Sequence, residues 1–283
     1  MSTHGGTACS GAIRFGPMSF PFFKMEATAN DFVVVYASDL PPEAGPSLAL
    51  AVCDRRRGIG ADGVLVIGPP DGDRAGSMTV WNADGSVAEM CGNGLRCVAL
   101  RLREDGSNPE SLRLGTGAGD VDATFTDRGV RVLLGTPRPA DAPRIVETDH
   151  GAIRGLDVGM GNPHFVVFAE DAPPSDLRTW GPAVATHASF PDGTNVERLG
   201  VHGGGLSMRV WERGAGETMA CGSGACAAFV AARVQGRVEG HTSDVRLRGG
   251  TLRIHWPGDG PVSLEGPART VYTGAWPTSG ARG

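Results

Sequence analysis

One cysteine-centred motif occurs twice in the chain, and that repetition restricts the fold more than any other feature. Residues 78–94 read MTVWNADGSVAEMCGNG and residues 208–224 read MRVWERGAGETMACGSG; an offset of 130 brings Met, Val, Trp, Cys and two Gly into register. In each copy the Cys lies ten residues after a Trp that ends a strand-like run, and Gly-Asn-Gly or Gly-Ser-Gly then leads into an apolar helical stretch. Cys91 and Cys221 therefore stand where helices begin. A helix N-terminus favours thiolate over thiol, and its free N–H groups can hold a carboxylate. Two similar halves, each offering one thiol, are suited to moving a proton on a carboxylate-bearing molecule. A single Cys-Gly-x-Gly reads most simply as a packed turn; recurrence at one fixed offset turns the reading toward chemistry. Cys53, Cys97 and Cys226 fall inside apolar helical runs and read as buried, inert thiols.

The elements around the motif repeat as well. FFKMEATANDFVVVYAS predicts a strand, a tight Asn-Asp turn and a Val-rich strand, and residues 46–57 follow with helical spacing. GVLVIG and SMTVWN are strands, Cys91 to Arg103 is a helix, and Ser111 to Leu134 alternates in short strands around Gly and Asp turns. In the second half, LDVGMGNPHFVVF parallels ATANDFVVVY, a short helix is expected over Pro182 to His187, and LSMRVWE is a strand. A helix follows over Gly222 to Val234, then a hairpin around Gly249-Gly250. The helices after each Cys are apolar nearly all round, which marks them as buried. The pattern predicts two similar domains, each wrapping antiparallel strands around a central helix whose N-terminus points at the interface. Residues 1–17, rich in Gly and Ser without periodicity, read as a disordered extension.

Composition removes several classes of function. The chain has 283 residues, 40% of them hydrophobic, and a net charge of −5; no nucleic-acid or membrane partner is indicated, and a cytoplasmic location is expected. The run Arg55-Arg56-Arg57 reads as a solvated helix end. Six cysteines without a C-x-x-C pair, and seven histidines without H-x-x-x-H spacing, predict neither a disulfide scaffold nor a metal site. Lys24 is the only lysine, which leaves a pyridoxal-phosphate Schiff base with one strand residue to rely on; no cofactor is expected. GIGADG at Gly58 to Gly63 matches a dinucleotide pattern, but a helix precedes it and a strand follows, the reverse of what that fingerprint needs. Asn30, Asn82, Asn93, Asn162 and Asn195 sit at strand ends or turns, and Glu212-Arg213 follows the second motif's Trp. Together they supply neutral donors and acceptors, an Arg fork for carboxylate and a Glu for ammonium. That is a set for binding a zwitterion.

KMEATANDF, CDRRRGIGADG, WNADGSVAEMCGNGLRC, MGNPH, GTNVE and WERGAGETMACGSGACAA succeed one another over residues 22–276. In this order they resemble the diaminopimelate epimerase family. The resemblance implies an α+β fold of two pseudosymmetric domains, each a mostly antiparallel sheet or barrel around a central helix, with the active site in the cleft between them. It divides the chain into residues 18–137 with 266–283 and residues 138–265, the C-terminal strand returning to the first domain. It implies cofactor-free epimerisation of L,L-2,6-diaminopimelate to the meso form, in lysine and peptidoglycan precursor biosynthesis. Cys91 and Cys221 would be the acid/base thiols, with the backbone at Gly92-Asn93 and Gly222-Ser223 holding the reacting carboxylate. Asn30, Asn82, Asn162, Asn195, Glu212 and Arg213 match substrate-binding positions, and His164 a supporting one. The implied partner is a small-molecule amino acid, and a homodimer is the candidate assembly. Both helix N-termini are expected to lower the thiol pKa, and closure of the domains to exclude water. Ala29 stands where the family usually has Gly and Glu26 where a His is common; if the Gly has a positive φ, Ala29 strains the loop by about 1 kcal/mol. The alternatives are another cofactor-independent racemase of this fold, for instance one acting on histidine; a thiol redox or metal-binding protein; and a silent binding module.

Overall fold

The computed structural model describes residues 19–106, 109–203 and 205–278. The predicted extension 1–17 lies outside the described residues. Each half is built on an antiparallel strand pair, Ser19–Ala27 with Asn30–Tyr36 and Gly151–Gly159 with Pro163–Phe168, the second preceded by Arg144–Thr148, which pairs with Gly151–Gly159. A crossover then brings in a parallel neighbour, Gly63–Gly68 by way of helix α1 (Leu48–Val52) in the first half. In the second half the neighbour is Asn195–His202, by way of a longer helix after Asp176. An antiparallel strand follows in each, Arg74–Asn82 and Gly205–Glu212, ending on the motif's Trp and its neighbour. Next come the two motif helices, α2 (Gly92–Asp105) in the first half and its counterpart Gly222–Val234 in the second. Each leads to a strand parallel to the one before it, Ser111–Thr116 and Thr242–Leu247, and then to antiparallel returns. The sheets are thus mostly antiparallel, with two parallel pairings in each half.

The halves are joined through backbone. Ser263–Gly266 of the second pairs with Gly129–Leu133 of the first, and the last strand, Arg269–Pro277, pairs along Ser19–Ala27. The helix Leu177–Ala185 is α3 and Gly222–Val234 is α4. One apolar core runs through both halves around α2 and α4, with smaller cores under α1 and α3. Every residue from Gly224 to Ala232 is buried, as a helix apolar on all sides requires.

Three local expectations give way to tertiary structure. The turn after the first strand is Thr28-Ala29, not Asn30-Asp31, and both residues have positive φ, 57° and 60°. That pair of left-handed residues costs about 1 kcal/mol each. Glu26 offsets part of the cost: one carboxylate oxygen accepts the Ala29 N–H at 2.8 Å while the other pairs with Arg269 at 2.6 Å. Helix α1 stops at Val52 instead of running toward Arg57, because the Asp54 carboxylate takes the Arg56 and Arg57 N–H groups at 2.7 and 2.8 Å and folds the chain back. Gly58 then lies so close to the helix end that a Cβ there would be 2.2 Å from the Ala51 carbonyl oxygen. Helix α3 spans Leu177–Ala185 rather than Pro182 to His187, since Asp176 caps it by accepting the Arg178 N–H at 2.9 Å. Trp180, in the middle of α3, is fully buried and anchors the outer core.

Candidate active site

Helices α2 and α4 meet at their N-termini, and glycine permits it. A Cβ on Gly222 would lie 3.8 Å from the Gly92 Cα, and Cβ atoms on Gly92 and Gly222 would lie 3.2 and 3.1 Å from one methyl of Leu264. Cys91 and Cys221 are the N-cap residues: each sulfur accepts the N–H three residues on, Gly94 and Gly224, at 3.4 Å. The Cys221 sulfur also lies 3.5 Å from the Ser223 hydroxyl. Asn93, 3% exposed, stitches the two motifs together. Its amide donates to Asn30 Oδ1 at 3.1 Å and to the Ala220 carbonyl, just before Cys221, at 3.4 Å.

A cleft of about 920 Å³ opens beside these helix ends. Cys91, Asn30, Asn82, Asn162, Asn195, Glu212 and Arg213 all line it. Gly92, Asn93, Gly222, Ser223, Cys221 and His164 do not; Cys221, next in the chain after the lining residues Met219 and Ala220, is 6% exposed. The asparagines are held in place by defined partners. Asn30 donates to Asp62 at 2.7 Å, Asn82 to the Ser86 hydroxyl at 2.8 Å, and Asn195 to the Pro163 carbonyl at 2.9 Å while accepting the Arg213 N–H at 2.9 Å. Asn162 meets His164 Nε2 at 3.0 Å, and the other ring nitrogen meets Glu197 at 2.6 Å, with both partners of that pair fully buried.

The thiols do not behave as their helix positions alone predict. Burial pushes Cys91 above the ordinary thiol range and the Glu212 charge adds to it, against the N–H groups of Gly94 and Asn93 and the charge of Arg96. Burial carries Cys221 well above that range, with Glu212 and Glu197 adding to it, against the Ser223 hydroxyl and the Gly224 N–H. Removing a sulfur from water outweighs a helix terminus, so the expected lowering is corrected to a rise. Glu212 itself is raised by burial and accepts hydrogen bonds from Thr218 and Cys221.

Several groups in or beside the cleft are not marked by the sequence. Arg55, read as part of a solvated helix end, lines the cleft and pairs with Asp31 and Asp62, both at 2.7 Å. Burial alone would raise Asp31, but bonds from Arg55 and Lys24 hold its carboxyl down at about 2. Lys24, the single lysine, is buried and donates to Asp31 and to the Gly60 carbonyl, tying the glycine loop to the first strand. Glu217, also in the cleft wall, has Arg209 at 2.7 Å and Arg178 and Arg248 each at 3.3 Å. Glu197 sits in a strand between Val196 and Arg198; a fully buried carboxylate there carries no sequence signal beyond the GTNVE string itself. Among the described residues, no group of three or more His, Cys, Asp or Glu side chains is arranged to hold a metal ion, and no helix is long and apolar enough to cross a membrane.

Comparison with known proteins gives this site its family. The family model described as diaminopimelate epimerase matches residues 22–139 and 157–271. The chain belongs to the diaminopimelate epimerase family. It is accordingly an isomerase. The diaminopimelate epimerase of Synechococcus elongatus is 42% identical over 276 residues, covering 91% of this chain and 98% of that one. That of Desulforudis audaxviator is 44% identical over 276 residues, covering 90% and 98%. Among solved structures, a hydroxyproline epimerase from Agrobacterium vitis has the same fold, with a TM-score of 0.73 at 16% identity over 93% of this chain and 94% of that one.

Proposed function

We propose that the protein interconverts L,L- and meso-2,6-diaminopimelate by a two-base mechanism in which Cys91 and Cys221 exchange protons with opposite faces of one α-carbon. The observation that carries the reading is the abutment of two cysteine-capped helix N-termini, with Cys91 in the wall of the cleft beside them. A carboxylate placed at the junction would accept N–H groups from both helices. As one sulfur, as thiolate, takes the α-proton, the α-carbon flattens and charge builds on that carboxylate, where the same N–H groups stabilise it. The other sulfur, as thiol, gives its proton to the opposite face. Each turnover leaves the two sulfurs with their roles exchanged, so proton and charge balance and either isomer is a substrate.

The far end of diaminopimelate carries a second ammonium and carboxylate. Asn82, Asn162, Asn195 and the Glu212-Arg213 pair supply donors, acceptors and both charges in the same cleft. The test is a panel of L,L-diaminopimelate, meso-diaminopimelate and L-histidine incubated with the protein in D₂O, with α-deuterium and configuration read by NMR and chiral chromatography. Exchange and inversion of diaminopimelate alone is the expected result; inversion of histidine in preference to it sinks the substrate assignment.

Because both thiols lie above their ordinary range, the base is ionised only at higher pH. For the free enzyme, kcat/KM is therefore expected to climb through neutrality with an acid limb above the free-thiol value of about 8.5. A pH–rate profile that is already flat below that value contradicts the burial seen here.

A further inference from the structure

The two halves repeat their thiols but not the layer beneath them. Beneath α2 a Cβ on Gly94 would come within 2.9 Å of a Leu65 methyl; beneath α4 a Cβ on the matching Gly224 would come within 2.7 Å of Glu197 Oε1. Leu65 and Glu197 are the third residues of corresponding strands, Gly63–Gly68 and Asn195–His202. The second difference lies on the helices: the offset of 130 sets Arg96 of α2 against Cys226 of α4. Arg96 is fully buried and donates to the Thr28 hydroxyl at 2.5 Å and the Pro267 carbonyl at 3.3 Å. Its Nη1 has no hydrogen-bond partner, and none of its hydrogen bonds among the described residues goes to a carboxylate. A symmetric duplication would have given both thiols the same support. Here a cation lies under one and a carboxylate under the other.

We propose that Glu197 and Arg96 are positioning residues that break the symmetry of the two thiols, keeping the resting proton on Cys221 and leaving Cys91 the sulfur that ionises first. The groups facing each sulfur are few. Cys91 faces Arg96 of its own helix and Glu212 of the strand Gly205–Glu212. Cys221 faces Glu212 and Glu197, with His164 bonded to Glu197 from the neighbouring strand. Arg96 faces Cys91 and Cys97 on α2, Glu26 on the first strand and Cys226 on α4. Glu212 acts on both sulfurs but takes a hydrogen bond only from Cys221, so it favours the proton there together with Glu197, while Arg96 is the cation that faces Cys91. Burial lowers the Arg96 guanidinium only to about 10, which leaves it a cation at neutral pH. The consequence in turnover, that the enzyme at rest is poised for whichever isomer presents its α-hydrogen to Cys91, rests on the two-base reading. The ionisation order itself does not.

Substrate-free protein alkylated with iodoacetamide over a pH series, with Cys91 and Cys221 followed separately by peptide mass spectrometry, measures that order. The pH midpoint, not the rate, is compared, since the two sulfurs differ in exposure. Wild-type protein is expected to show the lower midpoint at Cys91. Glu197→Gln is expected to lower the Cys221 midpoint, and Arg96→Gln to raise that of Cys91, each by about one pH unit, or tenfold in thiolate at neutral pH. Arg96→Lys, which keeps the charge, restores the Cys91 midpoint; Thr28→Val, which removes a partner of Arg96 and no charge, leaves it in place. A lower midpoint at Cys221 in the wild type overturns the proposal even if no variant folds. So does an unmoved Cys221 midpoint in a Glu197→Gln protein whose circular dichroism and melting temperature match wild type. Failure of the substrate panel with the alkylation order intact would remove the diaminopimelate reading and leave this one standing.

Discussion

Cys91→Ala and Cys221→Ala each abolish inversion of diaminopimelate, with kcat falling by at least about a hundredfold and as much as ten-thousandfold, the range for a positioned acid or base. Folding does not explain the loss, because each sulfur caps its helix through one long bond, 3.4 Å from the Gly94 or Gly224 N–H, and Cys221 adds only weak sulfur contacts to Ser223 and Glu212, so replacement removes a weak cap. Thermal melting within a few degrees of wild type is the control. The informative measurement is solvent deuterium. With two bases, a variant retaining one thiol still exchanges the α-proton of the isomer that presents its hydrogen to that thiol, and returns it with configuration retained. With a single base serving both faces, one variant would be inert and the other would invert normally. Normal inversion by either variant ends the two-base reading.

That reading could begin from sequence because its parts are local. A Cys followed by Gly-x-Gly and an all-apolar run places a helix start, and α4 covers Gly222–Val234 as read, while α2 runs two residues past the expected Arg103. The scattered asparagines were legible for the same reason: they sit at strand ends, and the topology brings Asn30, Asn82, Asn162 and Asn195 to one cleft. What sequence could not give is what depends on neighbours far along the chain. Helix α1 ends where Asp54 folds its own loop back, and Arg55, still exposed, meets Asp31 and Asp62 only once two strands are paired. The thiol environment is not legible in sequence, because a helix terminus is visible in a string of residues and burial is not. Glu197 is the clearest instance. It lies 132 residues beyond Leu65, in the same place of the repeated strand, yet only the packing of Gly224 against it shows that it belongs under a thiol.

Gly249→Ala tests how the halves are held in register, and its expected effect on stability is the largest of any single methyl added at the site. A Cβ at Gly249 would lie 2.0 Å from the Thr28 carbonyl oxygen, 2.8 Å from its carbon and 3.0 Å from the Ala29 Cβ. The first two are backbone atoms, so no rotamer change relieves the contact; the hairpin or the turn must move. Neither is free to. Thr28 and Ala29 are both left-handed, Thr28 is held by the buried Arg96, and the Gly249 N–H donates to the Met219 carbonyl at 2.9 Å in the cleft wall. The substitution is expected to cost about 3 kcal/mol, lowering Tm by roughly 6–12 °C. Displacement of Ala29 and Met219, which line the cleft from opposite halves, raises KM with the loss. Gly45→Ala is the matched control, since a Cβ there meets nothing within 4 Å and is expected to change stability by less than about 0.5 kcal/mol. Equal melting temperatures for the two variants would mean that the hairpin does not rest on the Thr28-Ala29 turn, and the cleft would then lack the contact that fixes its width.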